Sequence, residues 1–377
     1  MIQRKAFQRY EALDGLRGIA ALLVVFYHVR WTNHVTHTNA IRHAFLFVDL
    51  FFMLSGFVLA ASYMNRIRSI AEIGNFLCLR FFRIYPLHFA ILIVLISLEI
   101  FKVVGRQTGL MISIREPFST PNTVEDIFLN LFLVQSLHTT DHLSWNNPSW
   151  SISCEAAGYV VFSLVTFAGL IKTKTFHLVA VPAAICGYVL VLSLKGTLDA
   201  TFDIGIVRCL AGLFLGVWAY NLTPLTSLSS ISTGVLSIVA IFLSCWVGVT
   251  LAFARGETEI FVLPGFLFAL LYLHQDRGYG AKLLKTKMLQ FLGRVSYSIY
   301  MVHFPVLVVI SIVLKRIVPP STFLSSGVDL PQLNINPWIG DVMLLGVVLL
   351  ILLISYISFS CIEKPWREYG RYQARSS

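Results

Sequence analysis

Long apolar stretches separated by short polar segments recur along almost the whole chain. A helix needs about 20 predominantly apolar residues to cross a bilayer, so stretches near that length predict membrane-spanning helices. Most charged residues fall between the stretches rather than within them. The pattern predicts ten spans, at about residues 13–30, 44–63, 84–104, 150–171, 176–194, 202–221, 231–253, 260–274, 295–314 and 338–361.

An eleventh apolar stretch, 124–137, is too short to span and begins with Thr123, Glu125 and Asp126, as a capped helix does. Lysine and arginine accumulate on the cytoplasmic side of membrane proteins, so their distribution tests this choice. Ten spans place nineteen of the 29 basic residues inside and nine outside, whereas an eleventh span would give twelve inside and sixteen outside. We therefore predict an all-α integral membrane protein, a bundle of about ten transmembrane helices with both termini in the cytoplasm.

Composition excludes an ordinary soluble protein. The chain is 56% hydrophobic and 13% charged, with a mean hydropathy of +0.75, whereas average soluble proteins carry about a quarter charged residues. The six cysteines lie in apolar stretches without metal-ligand spacing, so we predict neither a disulfide scaffold nor a metal site. The net charge of +10 comes from short loops, which favours membrane orientation over nucleic-acid binding.

The first apolar segment resembles a permanent helix rather than a cleaved signal peptide. It is longer than a typical signal-peptide core, contains Arg17 and His28, and lacks a small-residue cleavage site. Internal repeats and soluble segments are also lacking. We expect 1–377 to form a single membrane domain with no appended soluble domain, surrounded by lipid; the oligomeric state stays open.

Arg17 and His28 form a polar stripe on the first predicted helix. Eleven residues correspond to about three turns, so both side chains share one face and are separated by about 16 Å along the axis. Asp14 precedes Arg17 by three residues and is placed to pair with it. Ionisable groups within spans face a bundle interior or a water-filled cavity, so the stripe predicts a functional path through the membrane.

Arg80 and Arg83 are the next candidates for a functional site. Their i, i+3 spacing before Pro86 puts two positive charges on one helix face at the predicted cytoplasmic mouth. Guanidinium groups bind phosphate through paired hydrogen bonds, and the phosphates of a CoA thioester are available on the cytoplasmic side. The alternative is that the pair only anchors the helix, as Arg66 and Arg68 nearby would.

Glu155 lies about one turn into the fourth span from the outer side and needs a partner there. His28 lies towards the same side, so we expect the two to form a general base with an orienting carboxylate. Arg208, Glu99 and His303 are further polar residues within spans, and we interpret them chiefly as structural.

Several motifs, in order, resemble those of the acyltransferase-3 family of membrane enzymes, which O-acylate bacterial surface sugars and related molecules. YEALDGLRGIAALLVVFYH resembles the family's first helix, whose arginine and histidine, separated by ten residues, correspond to Arg17 and His28. FFMLSGFVLA, with Ser55, resembles its second-helix motif, and RFFRIYP carries its arginine pair together with Tyr85.

The second half of the chain continues the resemblance. PSWSISCE, ending at Glu155, is similar to a family segment in which a second glutamate often follows; Ala156 stands there instead. SYSIYMVHFPV, which contains His303, and IEKP, which begins at Ile362, match the family's usual ending. The resemblance therefore runs nearly from end to end.

The resemblance implies a ten-helix bundle in the bacterial inner membrane that transfers an acyl group, most often acetyl, from cytoplasmic acyl-CoA to a sugar hydroxyl. Acyl-CoA would be a co-substrate, with no permanently bound cofactor. His28 would act as base or carry the acyl group, supported by Glu155. The resemblance also implies CoA binding by Arg17, Arg80 and Arg83, and orienting or supporting roles for Asp14, Ser55, Tyr85 and His303.

Other functions remain compatible with the residues. A transporter or flippase also needs a charged internal path, although it predicts paired half-structures that this sequence lacks. A succinyl donor and a small-molecule acceptor are open as well, and the sequence does not distinguish a surface glycan from a lipid-linked oligosaccharide. Some members of the family append a soluble hydrolase-like domain. This chain ends soon after its tenth predicted span, so we expect it to act alone or with a separate partner.

Overall fold

The computed structural model describes residues 9–109, 116–223, 232–324 and 332–376. Almost all regular structure in this part of the chain is helical, and one short antiparallel ribbon pairs β1 (Phe323–Leu324) with β2 (Gln332–Leu333). The α-helices are α1 Glu11–His28, α2 Asn39–Arg42, α3 Phe47–Tyr63, α4 Ile70–Gln107, α5 Val124–Leu131, α6 Trp150–Phe167, α7 Lys174–Lys195, α8 Gly205–Leu222, α9 Thr233–Phe253, α10 Val262–Leu273, α11 Gly278–Leu284, α12 Lys287–Ile317, α13 Pro337–Ser358 and α14 Lys364–Ser376.

Within the described residues, nine helices are long and apolar enough to cross a membrane, and the protein is an all-α membrane bundle. These nine coincide with the second to the tenth predicted stretches. The first predicted stretch is α1, whose 18 residues include the charged side chains of Glu11, Asp14 and Arg17 and therefore contain no uninterrupted apolar run of spanning length. Its Ala20, Ala21, Val24 and Val25 are fully buried, because α1 packs inside the bundle rather than against lipid.

Two predicted boundaries differ from the observed helices. The third predicted stretch begins at about residue 84, but α4 begins at Ile70, where the Ser69 hydroxyl caps it by accepting a hydrogen bond from the Glu72 N–H. Pro86 lies within this continuous helix, so Arg80 and Arg83 stand along a helix and not at its entrance. After α13, a π-helical turn, Phe359–Glu363, leads directly into α14, so this helix also extends beyond its predicted end.

The short apolar stretch after Thr123 forms α5, which is only eight residues long. The Thr123 hydroxyl accepts a hydrogen bond from the Asp126 N–H, and the Asp126 carboxylate accepts one from the Thr123 N–H. The sequence predicted a capped helix at this position, and the cap is a reciprocal capping box. With eight residues, α5 is far shorter than the about 20 required to cross a bilayer.

Glycines allow the two helix pairs that build the centre to approach closely. A Cβ atom at Gly216 of α8 would overlap the carbonyl of Met53 in α3, and one at Gly293 of α12 would overlap the carbonyl of Asp14 in α1. Small residues at helix contacts are typical of membrane bundles, where packing replaces the hydrophobic effect. These contacts set α1 against α12 and α3 against α8.

A buried ion pair joins α3 to α8. Asp49 and Arg208 are both fully buried, and the Arg208 Nε and Nη2 atoms donate to the Asp49 carboxylate at 2.8 and 2.6 Å. Arg208 also donates to the Phe45 carbonyl, and the Tyr188 hydroxyl donates to Asp49. This geometry agrees with the structural interpretation of Arg208, whereas its partner Asp49 was not singled out in the sequence.

We expect Asp49→Ala to destabilise the protein by about 3–5 kcal/mol, because it leaves an unpaired guanidinium in the bundle interior. Unfolding of the detergent-solubilised protein measures this change. Lys195→Ala removes one member of the more exposed Lys195–Asp203 pair and should cost about 1 kcal/mol or less. Equal stability of the two variants would show that the buried Asp49–Arg208 pair contributes no more to stability than the more exposed Lys195–Asp203 pair.

Candidate active site

Two histidines from helices distant in sequence meet at the C-terminal end of α1. The His28 Nδ1 atom at the end of α1 lies 2.9 Å from the Val24 carbonyl oxygen and 3.3 Å from the His303 Nε2 atom of α12. The His303 Nδ1 atom lies 3.1 Å from the Ile299 carbonyl oxygen. Each carbonyl lies four residues earlier on the same helix, so helix geometry itself holds both rings.

These contacts define the protonation pattern of the neutral pair, since a carbonyl oxygen can only accept a hydrogen bond. Nδ1 of His303 must carry a proton, which leaves its Nε2 as an acceptor for the Nδ1–H of His28. His28 then shares that proton between Val24 and His303, and its own Nε2 keeps a lone pair. No hydrogen-bond partner of His28 Nε2 is found among the described residues.

His28 lines a small recess at its end of the bundle. The segment that follows α1 covers this end: the Leu333 N–H donates to the Arg30 carbonyl and the Thr32 N–H to the Leu333 carbonyl. The Trp31 indole donates to the Gly340 carbonyl of α13. The recess therefore gives access to His28 within a fixed frame, and its lining consists of His28, Arg30, Trp31, Leu307, Ile310, Ser311, Leu314, Phe323 and Leu333.

The other end of α1 carries Arg17, which faces further arginines. The Asp14 carboxylate accepts a hydrogen bond from Arg17 at 3.2 Å, as the spacing predicted. Arg80 donates to the Tyr63 hydroxyl at 2.9 Å, and its guanidinium carbon lies 5.1 Å from the centre of that ring. The Arg80 Nε atom is buried and has no hydrogen-bond partner among the described residues.

Arg83 and Arg367 complete this cluster. The charge of Arg83 acts on both Arg17 and Arg367, yet no hydrogen-bond or ion-pair partner of its side chain is found among the described residues. Arg367 donates to Glu363 at 3.2 Å, and the Ser298 hydroxyl donates to the same carboxylate at 2.9 Å. We call Arg17, Arg80, Arg83 and Arg367 the arginine cluster; the guanidinium of Arg83, which forms no ion pair among the described residues, fits an anionic ligand.

Glu155 belongs to the arginine side of the bundle, and the predicted His28–Glu155 pair is not formed. The Glu155 carboxylate accepts hydrogen bonds from the Ser55 hydroxyl at 2.5 Å and the Tyr159 hydroxyl at 2.7 Å. Its charge acts on Arg17 and Arg80. The prediction was wrong because depth from the helix end does not determine which face of α6 carries the carboxylate, and that face is directed at Ser55.

Tyr85 is also placed differently from the prediction. Its ring stacks on Phe81, with ring centres 4.5 Å apart, and on Phe89. Both phenylalanines are exposed on the outside of α4, so Tyr85 belongs to this lipid-facing row and not to the arginine cluster. The reason is helical phase: Tyr85 lies five residues after Arg80, about 140° away around the helix.

Comparison with known proteins places these elements in a family. A sequence profile described as "Acyltransferase domain" matches residues 10–359, nearly the whole chain. The chain belongs to the acyltransferase-3 family. No solved structure matches it.

The curated relatives of this acyltransferase-3 protein include three bacterial proteins. Peptidoglycan O-acetyltransferase OatA of Listeria monocytogenes is 23% identical over 95% of this chain and 56% of its own length, and O-acetyltransferase OatA of Staphylococcus aureus is 25% identical over 95% and 57%. Acyltransferase MdmB of Streptomyces mycarofaciens is 34% identical, over 41% of this chain and 39% of its own. The chain thus spans about half the length of the curated relatives that it matches.

Two members of this acyltransferase-3 site were missed in the sequence. Glu363 lies within the IEKP motif, and Arg367 follows it. The Glu363 carboxylate accepts a hydrogen bond from Ser298 of the SYSIYMVHFPV motif. A carboxylate at the end of a long apolar stretch was the available signal, because such a group requires a partner. The π-helical turn that holds Glu363 is also typical of functional positions in helices.

Proposed function

We propose that this family member is a membrane O-acyltransferase of the bacterial inner membrane. It transfers an acyl group, most simply acetyl, from cytoplasmic acyl-CoA to a sugar hydroxyl of a surface or lipid-linked glycan. The observation that carries this proposal is the opposite placement of two sites on one helix. His28, whose Nε2 has no partner among the described residues, lines a recess at one end of α1, and the arginine cluster, which includes Arg17, lies towards the other end.

The arginine cluster is suited to the donor. Acyl-CoA carries several phosphate groups, and Arg80 and Arg83 have guanidinium nitrogens without hydrogen-bond partners in the described protein. Arg17 and Glu155 would position the guanidinium groups of Arg80 and Arg83. The hydroxyl groups of Ser55 and Tyr159 hold Glu155 in place by hydrogen bonds. The excess of lysine and arginine predicted for this side supports a cytoplasmic location of the cluster and of both termini.

His28 is suited to activate the acceptor. Its Nε2 would take the proton of the sugar hydroxyl as the hydroxyl oxygen bonds to the acyl carbon and the carbon–sulfur bond breaks; the proton then passes to the CoA thiolate. In the covalent alternative, Nε2 itself takes the acyl group from CoA and passes it to the hydroxyl. Both routes need an unprotonated Nε2, which the hydrogen bonds of Nδ1 provide.

His303 is a positioning residue in this scheme, because it accepts the Nδ1–H of His28. We expect His303→Ala to lower kcat about two- to tenfold, as for the loss of one hydrogen bond, without changing KM for acyl-CoA. His303→Gln should restore part of the rate, since its amide oxygen can accept the same hydrogen bond. A KM change in both variants, or no rescue by glutamine, would indicate that His303 only fills space.

Mass spectrometry of the glycans of cells with and without the gene tests the proposed function. Membranes from both strains are supplied with isotopically labelled acetyl-CoA, and labelled glycans are sought in surface and lipid-linked fractions. The proposal expects one labelled acetyl group per modified sugar only where the protein is present. A transporter would instead change the location of a glycan without any labelled ester, and that result would overturn the proposal.

A further inference from the structure

Arg30 is a charged group in the recess that neither the arginine cluster nor the histidine pair uses. It lies two residues beyond the end of α1, and its carbonyl accepts a hydrogen bond from the Leu333 N–H at 2.8 Å. Its backbone is therefore fixed by pairing with the segment around β2. The half-buried side chain lines the same recess as His28.

The guanidinium group of Arg30 is held by an aromatic ring and not by a carboxylate. Its central carbon lies 5.8 Å from the ring centre of Tyr27, whose ring in turn packs edge-on against His28 at 4.9 Å between centres. Among the described residues, no acidic side chain lies within ion-pair distance of Arg30. A guanidinium has five N–H donors, so most of its hydrogen-bonding capacity remains available.

The rest of the recess offers this charge little compensation. Apart from His28 and Arg30, the lining is aromatic or aliphatic with the single hydroxyl of Ser311. A half-buried cation facing apolar walls is costly unless an anion meets it. An anion bound there would form paired, charge-assisted hydrogen bonds with the guanidinium.

We propose that the acceptor is anionic and that Arg30 binds its carboxylate or phosphate group while His28 faces the hydroxyl that is acylated. This inference rests on the proposed function and narrows its substrate class. It also explains why the acceptor end of the protein keeps a positive charge beside a base, since that charge would orient the substrate and not the donor. Arg30 is thus a specificity-determining residue for the acceptor.

The test uses the unacylated glycan extracted from cells that lack the gene, together with membranes that contain the full-length protein. Transfer from labelled acetyl-CoA is measured for wild type, Arg30→Gln and Arg30→Lys. Arg42→Gln is the matched control, because Arg42 is an exposed arginine at the same end of the bundle and does not line the recess. We expect Arg30→Gln to raise KM for the glycan roughly ten- to a hundredfold, as for a charge-assisted hydrogen bond. KM for acetyl-CoA should not change, and Arg30→Lys should retain part of the affinity.

Chemical treatment of the glycan distinguishes the two sources of charge. Carboxyl reduction should remove the difference between wild type and Arg30→Gln if the anion is a carboxylate, and phosphatase treatment should do so if it is a phosphate. A neutral acylated glycan, or an Arg30→Gln variant that behaves like Arg42→Gln, would overturn the inference while leaving the proposed function intact. A difference that survives both treatments would assign the anion to a lipid headgroup and would also overturn it. If wild type labels no glycan, the proposed function fails, and the inference fails with it.

Discussion

His28→Ala is expected to reduce acyl transfer about 10²- to 10⁴-fold, the usual contribution of a general base. The substitution removes the His28 imidazole that lines the recess, and with it the unpaired Nε2 atom. Initial rates of labelled-acetyl transfer to the glycan in membranes, at saturating donor and acceptor, give the change in kcat.

His37→Ala is the matched control for this experiment. His37 is an exposed histidine at the same end of the bundle and does not line the recess, so its loss should leave the rate unchanged. Comparable amounts of both variants in the membrane show that insertion is intact. If His28→Ala were fully active, the assignment of the reacting base would be wrong.

Wild type and His28→Ala together distinguish transfer through an acyl-histidine from direct transfer. Rapid acid quenching of wild type with labelled acetyl-CoA and no acceptor should trap a labelled peptide containing His28 if the acyl group passes through the imidazole. Direct transfer predicts no such peptide but the same loss of rate in His28→Ala.

Arg83→Ala is expected to raise KM for acyl-CoA roughly ten- to a hundredfold, since a hydrogen bond to a charged group contributes about 1.5–3 kcal/mol. The effect on kcat should be smaller, because phosphate binding lies far from the reacting atoms and stabilises ground state and transition state alike. Arg83 is the clearest member of the arginine cluster to test. Its side chain has no hydrogen bond or ion pair within the described protein, so removing it breaks no direct polar contact there.

A donor that lacks one phosphate sharpens the test. Acetyl-dephospho-CoA should bind wild type more weakly, and the Arg83→Ala variant should respond less to the missing phosphate if Arg83 contacts it. Arg68→Gln, an exposed arginine on the turn before α4, serves as the control for general positive charge on this side. An equal rise of KM in both variants would show that only the surface charge matters, and an unchanged KM in Arg83→Ala would remove Arg83 from the donor site.

The bundle and its polar stripe follow from local information in the sequence. Hydrophobic stretches of about 20 residues specify spanning helices wherever they occur, because unpaired backbone groups cannot remain in lipid. The cap at Thr123 and the Asp14–Arg17 pair depend on residues three apart, and α1 is one unbroken helix that carries both Arg17 and His28. Helix periodicity determines these relations, so they do not depend on how the helices pack together.

The partners of the reacting groups were decided only by the tertiary structure. His28 and His303 are 275 residues apart, and the contact between them depends on the close packing of α1 and α12 at Gly293. Glu155 was assigned to His28 from its depth in the membrane, but the rotation of α6 directs it to Ser55 and Tyr159. Glu363 meets Ser298 in the same way, across 65 residues. Periodicity defines which residues share a face of one helix, whereas the face that each helix presents to its neighbours depends on how all the helices pack together.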